Sequence, residues 1–251
     1  MYYGLYLSAA GANAQSQKVE VLSNNLANVD TVGFKREIAL LEARDAEAIE
    51  RGLARRGSRG IDDVGGGVRP LGTATEFAVG NLQSTNIPSD FALERPDEFF
   101  LVQRGNERLL TRAGNFQFDL QGRLLTQAGD PVLAADETPI QIDPELPWRA
   151  LPGGVIEQFS DRFELALVKP VQTGELKKIG GNYFQSTTGE VAPVPVEERL
   201  VRNGFVEKSA VNPVQEMVEL ITTSRSYETN LRLIQQHDSM TSSLVGRMLK
   251  V

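Results

Sequence analysis

Cysteine is absent from the 251-residue chain. That excludes disulfides, thiolate nucleophiles and cysteine-ligated metals, and it is compatible with any redox compartment. Histidine is nearly absent: His237 stands alone, next to Asp238, with no second imidazole to share a metal. It reads as a packing or surface residue of a helix rather than a catalytic base. No run of about 18 apolar residues is available to span a bilayer. The first residues carry no basic region followed by an apolar stretch and a small-residue cleavage site, so neither direct membrane insertion nor a cleaved signal peptide is expected. Phosphate-cradling patterns are missing as well; Gly65-Gly66-Gly67 lacks the lysine and the strand-to-helix setting that such a loop needs. Carboxylates such as Asp62-Asp63 or Glu197-Glu198 are neighbours in sequence alone and make no glycosidase-type pair. The net charge of −7 is spread along the chain, so no nucleic-acid surface follows from it. No catalytic residues, cofactor or metal are expected.

What is present gathers at the two ends. Leu5, Ala12, Val19 and Leu26 recur every seven residues, with Leu22 and Val29 three further on. This a/d spacing keeps one seam toward a partner helix. The first heptads are thin: Ser8 and Gln15 take d positions, and Ala9, Ala10, Gly11, Ala12 and Ala14 dominate. Such a helix is marginal alone, because nucleation is costly and Gly11 lowers propensity further. At the other end, Leu220, Tyr227, Ile234 and Met248 share one heptad position, and Met217, Leu231 and Val245 another. Asn212 as N-cap, Pro213 at the first helical position and Gln215 at the capping-box position mark where that helix starts. Two arrangements fit the pattern: a coiled pair of terminal helices, or two amphipathic helices on one globular core.

Between the ends the chain changes character. Residues 36–75 run from a charged, alanine-rich stretch through Arg51, Arg55, Arg56 and Arg59 to a glycine triplet. With few large apolar residues this segment is expected to be a flexible or extended arm, its arginines solvated. From residue 76 strand signals begin. Phe99 to Val102 is a short apolar run; Phe116, Phe118 and Leu120 alternate with Gln117 and Asp119; Ile140 and Ile142 flank Gln141; Phe163, Leu165 and Leu167 precede Pro170. Turn residues fall about every ten positions, which predicts a central antiparallel β domain, a barrel or sandwich, in an α+β chain. The expected division is 1–35 helix, 36–75 arm, 76–208 β domain and 209–251 helix.

One segment exceeds generic helix logic. Ser23-Asn24-Asn25-Leu26-Ala27-Asn28-Val29-Asp30-Thr31-Val32-Gly33-Phe34-Lys35 places three asparagines in five residues at a helix end, where their amides can bond neighbouring backbone or a partner chain. Gly33 supplies the helix stop and Phe34 an apolar anchor beyond it. Here the chain resembles the flagellar rod and hook family of bacterial axial proteins, whose members share S-N-N-[IL]-A-N-x-x-T-x-G-F-K. The resemblance continues through Leu110-Thr111-Arg112-Ala113-Gly114-Asn115-Phe116 and Asn203-Gly204-Phe205-Val206-Glu207-Lys208-Ser209. It extends through Glu216-Met217-Val218 to the helix containing Ser224-Arg225-Ser226-Tyr227-Glu228-Thr229-Asn230. Departures are Ala210 in place of the family's asparagine and Pro96-Asp97-Glu98 in place of its glycine-rich lead.

The resemblance implies a structural subunit of the flagellar basal-body rod. Such a subunit leaves the cytoplasm unfolded through the type III flagellar export apparatus and lodges in the periplasmic part of the rod. There it polymerises with copies of itself and with neighbouring rod and hook subunits into the hollow shaft that transmits torque from motor to hook. Gly4-Leu5-Tyr6 and the moderate length favour a proximal-rod over a distal-rod subunit. A distal-rod or hook subunit, or a secreted coiled-coil adaptor or adhesin outside the family, is the alternative. In the favoured reading a coiled-coil layer is formed by Leu5, Ala12, Val19, Leu22 and Leu26 against Met217, Leu220, Tyr227, Leu231, Ile234, Val245 and Met248. Asn24, Asn25 and Asn28 bond across helices, Gly33 and Phe34 anchor the exit, and Phe34 with Ile38 has the aromatic-x-x-x-aliphatic spacing of an export signal.

Overall fold

The computed structural model describes residues 2–45, 47–52, 55 and 65–248; Arg56, Arg59 and Asp62-Asp63 lie outside them. The chain divides into two compact units, one comprising Met1–Ala27, Glu37–Ala74 and Asn212–Val251, the other Asn28–Arg36 and Thr75–Val211.

The first unit holds both long helices, α1 (Tyr2–Ala27) and α3 (Pro213–Met248), with strands β1 (Glu37–Arg44) and β2 (Gly67–Thr75) and the short helix α2 (Glu47–Glu50). β1 and β2 pair as a two-stranded sheet. The helix α3 starts where the sequence predicts: the Asn212 side chain accepts hydrogen bonds from the amides of Val214 (3.2 Å) and Gln215 (3.4 Å), as an N-cap does. The helices pack against each other along their length. They run antiparallel, for Gly4 lies against His237, Gly11 against Asn230, Lys18 near Glu219 and Asn25 near Glu216.

The second unit is built of antiparallel strands. Its centre is a six-stranded sheet ordered β13-β14-β6-β5-β12-β15, from β5 (Phe99–Arg104), β6 (Glu107–Thr111), β12 (Leu167–Pro170), β13 (Leu176–Gly180), β14 (Tyr183–Ser186) and β15 (Val191–Pro193). The apolar run at Phe99–Val102 is buried on both faces. Phe100 and Val102 join one cluster with Leu109, Leu167 and Tyr183, while Phe99 and Leu101 join another with Leu110, Val168 and Phe184. A strand covered on both sides needs an unbroken apolar stretch, which explains the absence of alternation there. A three-stranded sheet joins β9 (Arg149–Leu151), β10 (Val155–Gln158) and β11 (Asp161–Glu164) in the order β11-β10-β9. Two-stranded pairs complete the unit: β3 (Leu82–Ser84) with β17 (Phe205–Glu207), β4 (Phe91–Leu93) with β16 (Val201–Asn203), and β7 (Gln117–Phe118) with β8 (Leu124–Leu125).

No closed barrel forms among the described residues, because β13 and β15 end the main sheet without a further partner. The alternating segment Phe116 to Leu120 also departs from expectation: two residues pair as β7, and Leu120 is 92% exposed. The Asp119 carboxylate causes this turn, accepting bonds from the amides of Gln121 (2.9 Å) and Arg123 (2.8 Å) and so pulling the chain out of the ladder.

Candidate assembly site

The α1–α3 seam can be built residue by residue. On α3 the residues turned toward α1 are Glu216, Leu220, Thr223, Tyr227, Asn230, Ile234, His237 and Thr241, each buried or half-buried. Their spacing alternates four and three without a break, as a helix seam requires. Three of the eight are apolar. On α1, contacts with α3 include Gly4, Gly11, Lys18 and Asn25, one residue ahead of the Leu5–Ala12–Val19–Leu26 repeat. The small residues set this register. A methyl group at Gly4 would lie 3.0 Å from the His237 ring, and one at Gly11 3.2 Å from the Asn230 amide. Ala12, Leu22 and Asn25 are buried, and Leu5, Val19 and Leu26 half-buried.

Asn25 explains part of the asparagine cluster. Fully buried, it donates from Nδ2 to the Glu37 carbonyl (2.8 Å) and accepts at Oδ1 from the Glu37 amide (2.9 Å). It thereby brackets the first residue of β1 as another strand would. Its Nδ2 also reaches the buried Glu216 carboxylate at 3.3 Å, in the first turn of α3, where helix polarity favours a negative charge. Asn28 bonds locally, accepting from the Thr31 hydroxyl at 3.2 Å, and Asn24 is exposed.

The outer side of α3 is different. Off the seam, Val214, Met217, Val218, Ile221, Leu231, Leu233, Met240 and Val245 are all exposed. Leu220, Tyr227 and Ile234 therefore serve the internal seam, whereas Met217, Leu231 and Val245 face away from it; Leu244 and Met248 continue the four-three register past Thr241 and are exposed as well. Ile38 is exposed on β1.

In the second unit the rest of the asparagine motif is tied down. Gly33 donates its amide to the Glu207 carbonyl (2.7 Å), the buried Phe34 accepts from the Ala210 amide (3.1 Å), and Asn182 donates to the Val32 carbonyl (2.6 Å). Lys178 places its ammonium 3.7 Å from the centre of the Phe34 ring, a cation–π contact. Beneath these lies a buried charge cluster. The Glu207 carboxylate accepts from Lys35 Nζ (2.6 Å), from Arg112 Nε (2.9 Å) and from the Gly80 amide (2.8 Å). Lys35 also donates to the Ala78 carbonyl (2.7 Å) and Arg112 to the carbonyls of Leu93, Arg95 and Glu98. Burial, reinforced by the Arg112 charge and opposed by Glu207, lowers the Lys35 pKa to about 8.

Each member of this cluster belongs to one of the three motif segments read from the sequence, yet none stood out as a site. A charged residue in a motif looks like a solvated one until the partner from a distant segment is known. The seam residues Thr223, Asn230 and His237 were missed because heptads are sought among apolar side chains; the four-three spacing, read without regard to polarity, finds them.

Glu98 is 1% exposed, and neither of its carboxylate oxygens has a hydrogen-bond partner; Arg95 stands 3.4 Å away. Burial pushes its pKa up. The folded state therefore holds this proton more tightly than the unfolded chain, and stability falls as pH rises from the ordinary glutamate range through the raised value. Glu98→Gln is expected to stabilise the β unit at neutral pH by about 1 kcal/mol, or roughly 2–4 °C in Tm. Thermal unfolding at pH 4 and pH 7 checks this: the gain should shrink at the lower pH.

Three family models match the chain. They are flagella basal body rod protein over residues 5–35, the flagellar hook protein FlgE/F/G D1 domain over 96–150, and the flagellar basal body rod FlgEFG protein C-terminal region over 202–247. The chain is 31% identical to the flagellar basal-body rod protein FlgG of Buchnera aphidicola subsp. Schizaphis graminum, covering 97% of this chain and 99% of the relative. It is 31% identical to flagellar basal-body rod protein FlgF of Caulobacter vibrioides, covering 98% of each, and 32% identical to FlgG of the same organism, covering 94% and 95%.

Proposed function

The chain belongs to the flagellar basal-body rod protein family, and we propose that it builds the rod by seating the outer apolar face of α3 on neighbouring subunits. It is a structural subunit of the basal body, not an enzyme. The observation that carries the mode of assembly is the division of α3 into two faces. Its seam packs on α1, whereas eight large apolar residues off the seam, from Val214 to Val245, remain exposed. An exposed apolar group of that size, with Val214, Met217, Ile221, Leu231 and Val245 on one side of the helix, marks an association surface.

Residues 1–35 and 209–251 form the coiled-coil layer of the shaft, with 36–75 bridging to a neighbour and 76–208 as the β domain. The partners are copies of this chain, adjoining rod and hook subunits and, before assembly, the export apparatus, with Phe34 and Ile38 as the signal it reads. The subunit lies in the periplasmic part of the rod after export from the cytoplasm. No helix of the described residues is long and apolar enough to cross a membrane, in keeping with passage through a channel. The opening Gly4-Leu5-Tyr6 supports a proximal position.

The test is sedimentation of purified chain seeded with rod fragments. Replacing Leu231 and Val245 together by serine removes two side chains worth about 1.5–3 kcal/mol each when fully buried. The double variant should keep the wild-type circular dichroism spectrum and Tm but lose pelleting at concentrations where wild type polymerises. Pelleting as before would sink the assignment of this face.

A further inference from the structure

Two features of the β unit have no role so far. Phe159 sits in the two-residue turn joining β10 to β11, where Gln158 pairs with Asp161. Its ring is 77% exposed and its φ is 57°. The first central residue of such a turn is a glycine position, and a bulky side chain at positive φ is strained. An exposed aromatic in a strained backbone is paid for twice over in stability, so something other than the fold of one chain keeps it there. On the main sheet, a groove of about 550 Å³ opens over Leu101, Leu110, Ala166 and Val168, rimmed by Arg108 and Glu137. The rim pair is 2.6 Å apart, and Glu137 also takes a positive φ, 65°.

We propose that Phe159 of one copy of this chain enters the groove of a second copy, making a contact between β units that adds to the helix packing. This rests on the assembly reading above. A protruding ring and a groove at different places on one chain can meet head to tail, a contact that propagates into rings or open helical polymers. The groove floor is apolar and far larger than the ring, leaving space for the flanking turn. The charges agree as well. Asp161, two residues from the ring, is exposed and makes no ion pair among the described residues. Arg108 at the rim is more than half exposed and, by exchanging its Glu137 partner, can pair with the Asp161 carboxylate. The occupant is then a second copy carrying ring and carboxylate together.

The absence of native cysteine makes the test direct. Chains carrying Phe159→Cys are mixed with chains carrying Ser186→Cys, an isosteric change at the groove lining, and oxidised after seeded assembly. The expected result is a mixed disulfide dimer in the polymer and none in unassembled chain at the same concentration. In parallel, Phe159→Asn relieves the turn, so its Tm should equal or exceed wild type while the critical concentration for polymerisation rises about tenfold. That pairing of opposite effects is not produced by a residue that only supports its own fold. If wild type polymerises but no mixed disulfide forms and Phe159→Asn assembles normally, the groove contact is overturned and the α3 reading stands. If wild type fails to polymerise on any seed, both are overturned.

Discussion

Glu207→Gln is expected to destabilise the β unit by about 3–5 kcal/mol, the usual cost of removing one partner from a buried ion cluster. The substitution preserves shape and removes charge. Lys35, Arg112 and Glu207 are all 0–1% exposed, so the carboxylate that now neutralises two cations cannot be replaced by water. The Gly80 amide can still bond the amide oxygen of glutamine; the two cations cannot be balanced by it. A loss that size is a large part of the 5–15 kcal/mol that stabilises a typical domain. Urea titration followed by tryptophan fluorescence reads it, since Trp148 packs on Phe118 within the same unit. Combining Glu207→Gln with Lys35→Met removes one of the stranded cations and should recover part of the loss. A double variant no better than the single one would mean that the lysine is not held by this carboxylate.

The same cluster fixes a pH dependence. Lys35 titrates at about 8 in the folded chain against 10.5 ordinarily. Between those values the unfolded chain binds more protons than the folded one, so the contribution of this group to stability rises with pH across that window and is flat below it. In the Lys35→Met variant that slope should disappear.

How far the sequence foretells the molecule differs by element. The helices were legible because their signals are local: an N-cap with proline behind it at Asn212-Pro213, and heptad spacing at both ends. Which face of each helix would be used inside the chain was not, because Gly4, Gly11 and Asn230 win the seam by size and hydrogen bonding rather than apolarity. Antiparallel strands were legible in kind, but a barrel was not formed and Phe116–Leu120 was cut short by one aspartate. For the candidate site, the family motifs gave the positions of Lys35, Arg112 and Glu207. Their meeting is a contact across as many as 172 residues of chain, and nothing in one sequence fixes such a pairing.

The glycine of the asparagine motif offers the second large effect, and a control separates its two causes. Gly33 has φ +68°, and a Cβ there would lie 2.5 Å from the main chain of Arg112 and Ala113. Gly105 has nearly the same φ, +60°, but open space around it. Substituting alanine at Gly105 should therefore register conformational strain alone, about 1 kcal/mol. Alanine at Gly33 meets that strain and a backbone wall as well. Main-chain atoms cannot swing aside as a lysine tip would, so the motif must lift away from its bed. Doing so pulls the Gly33 amide from the Glu207 carbonyl and drags Phe34 and Lys35 with it, opening the charge cluster to water. Its loss should thus approach that of Glu207→Gln, roughly 3–5 kcal/mol. Urea midpoints of the two alanine variants, measured side by side, decide it: equal midpoints would show that Gly33 serves its own backbone angle and nothing more. A wide gap would identify it as the point where the asparagine motif is pressed against the main chain at Arg112, and would explain why a glycine stands between Val32 and Phe34.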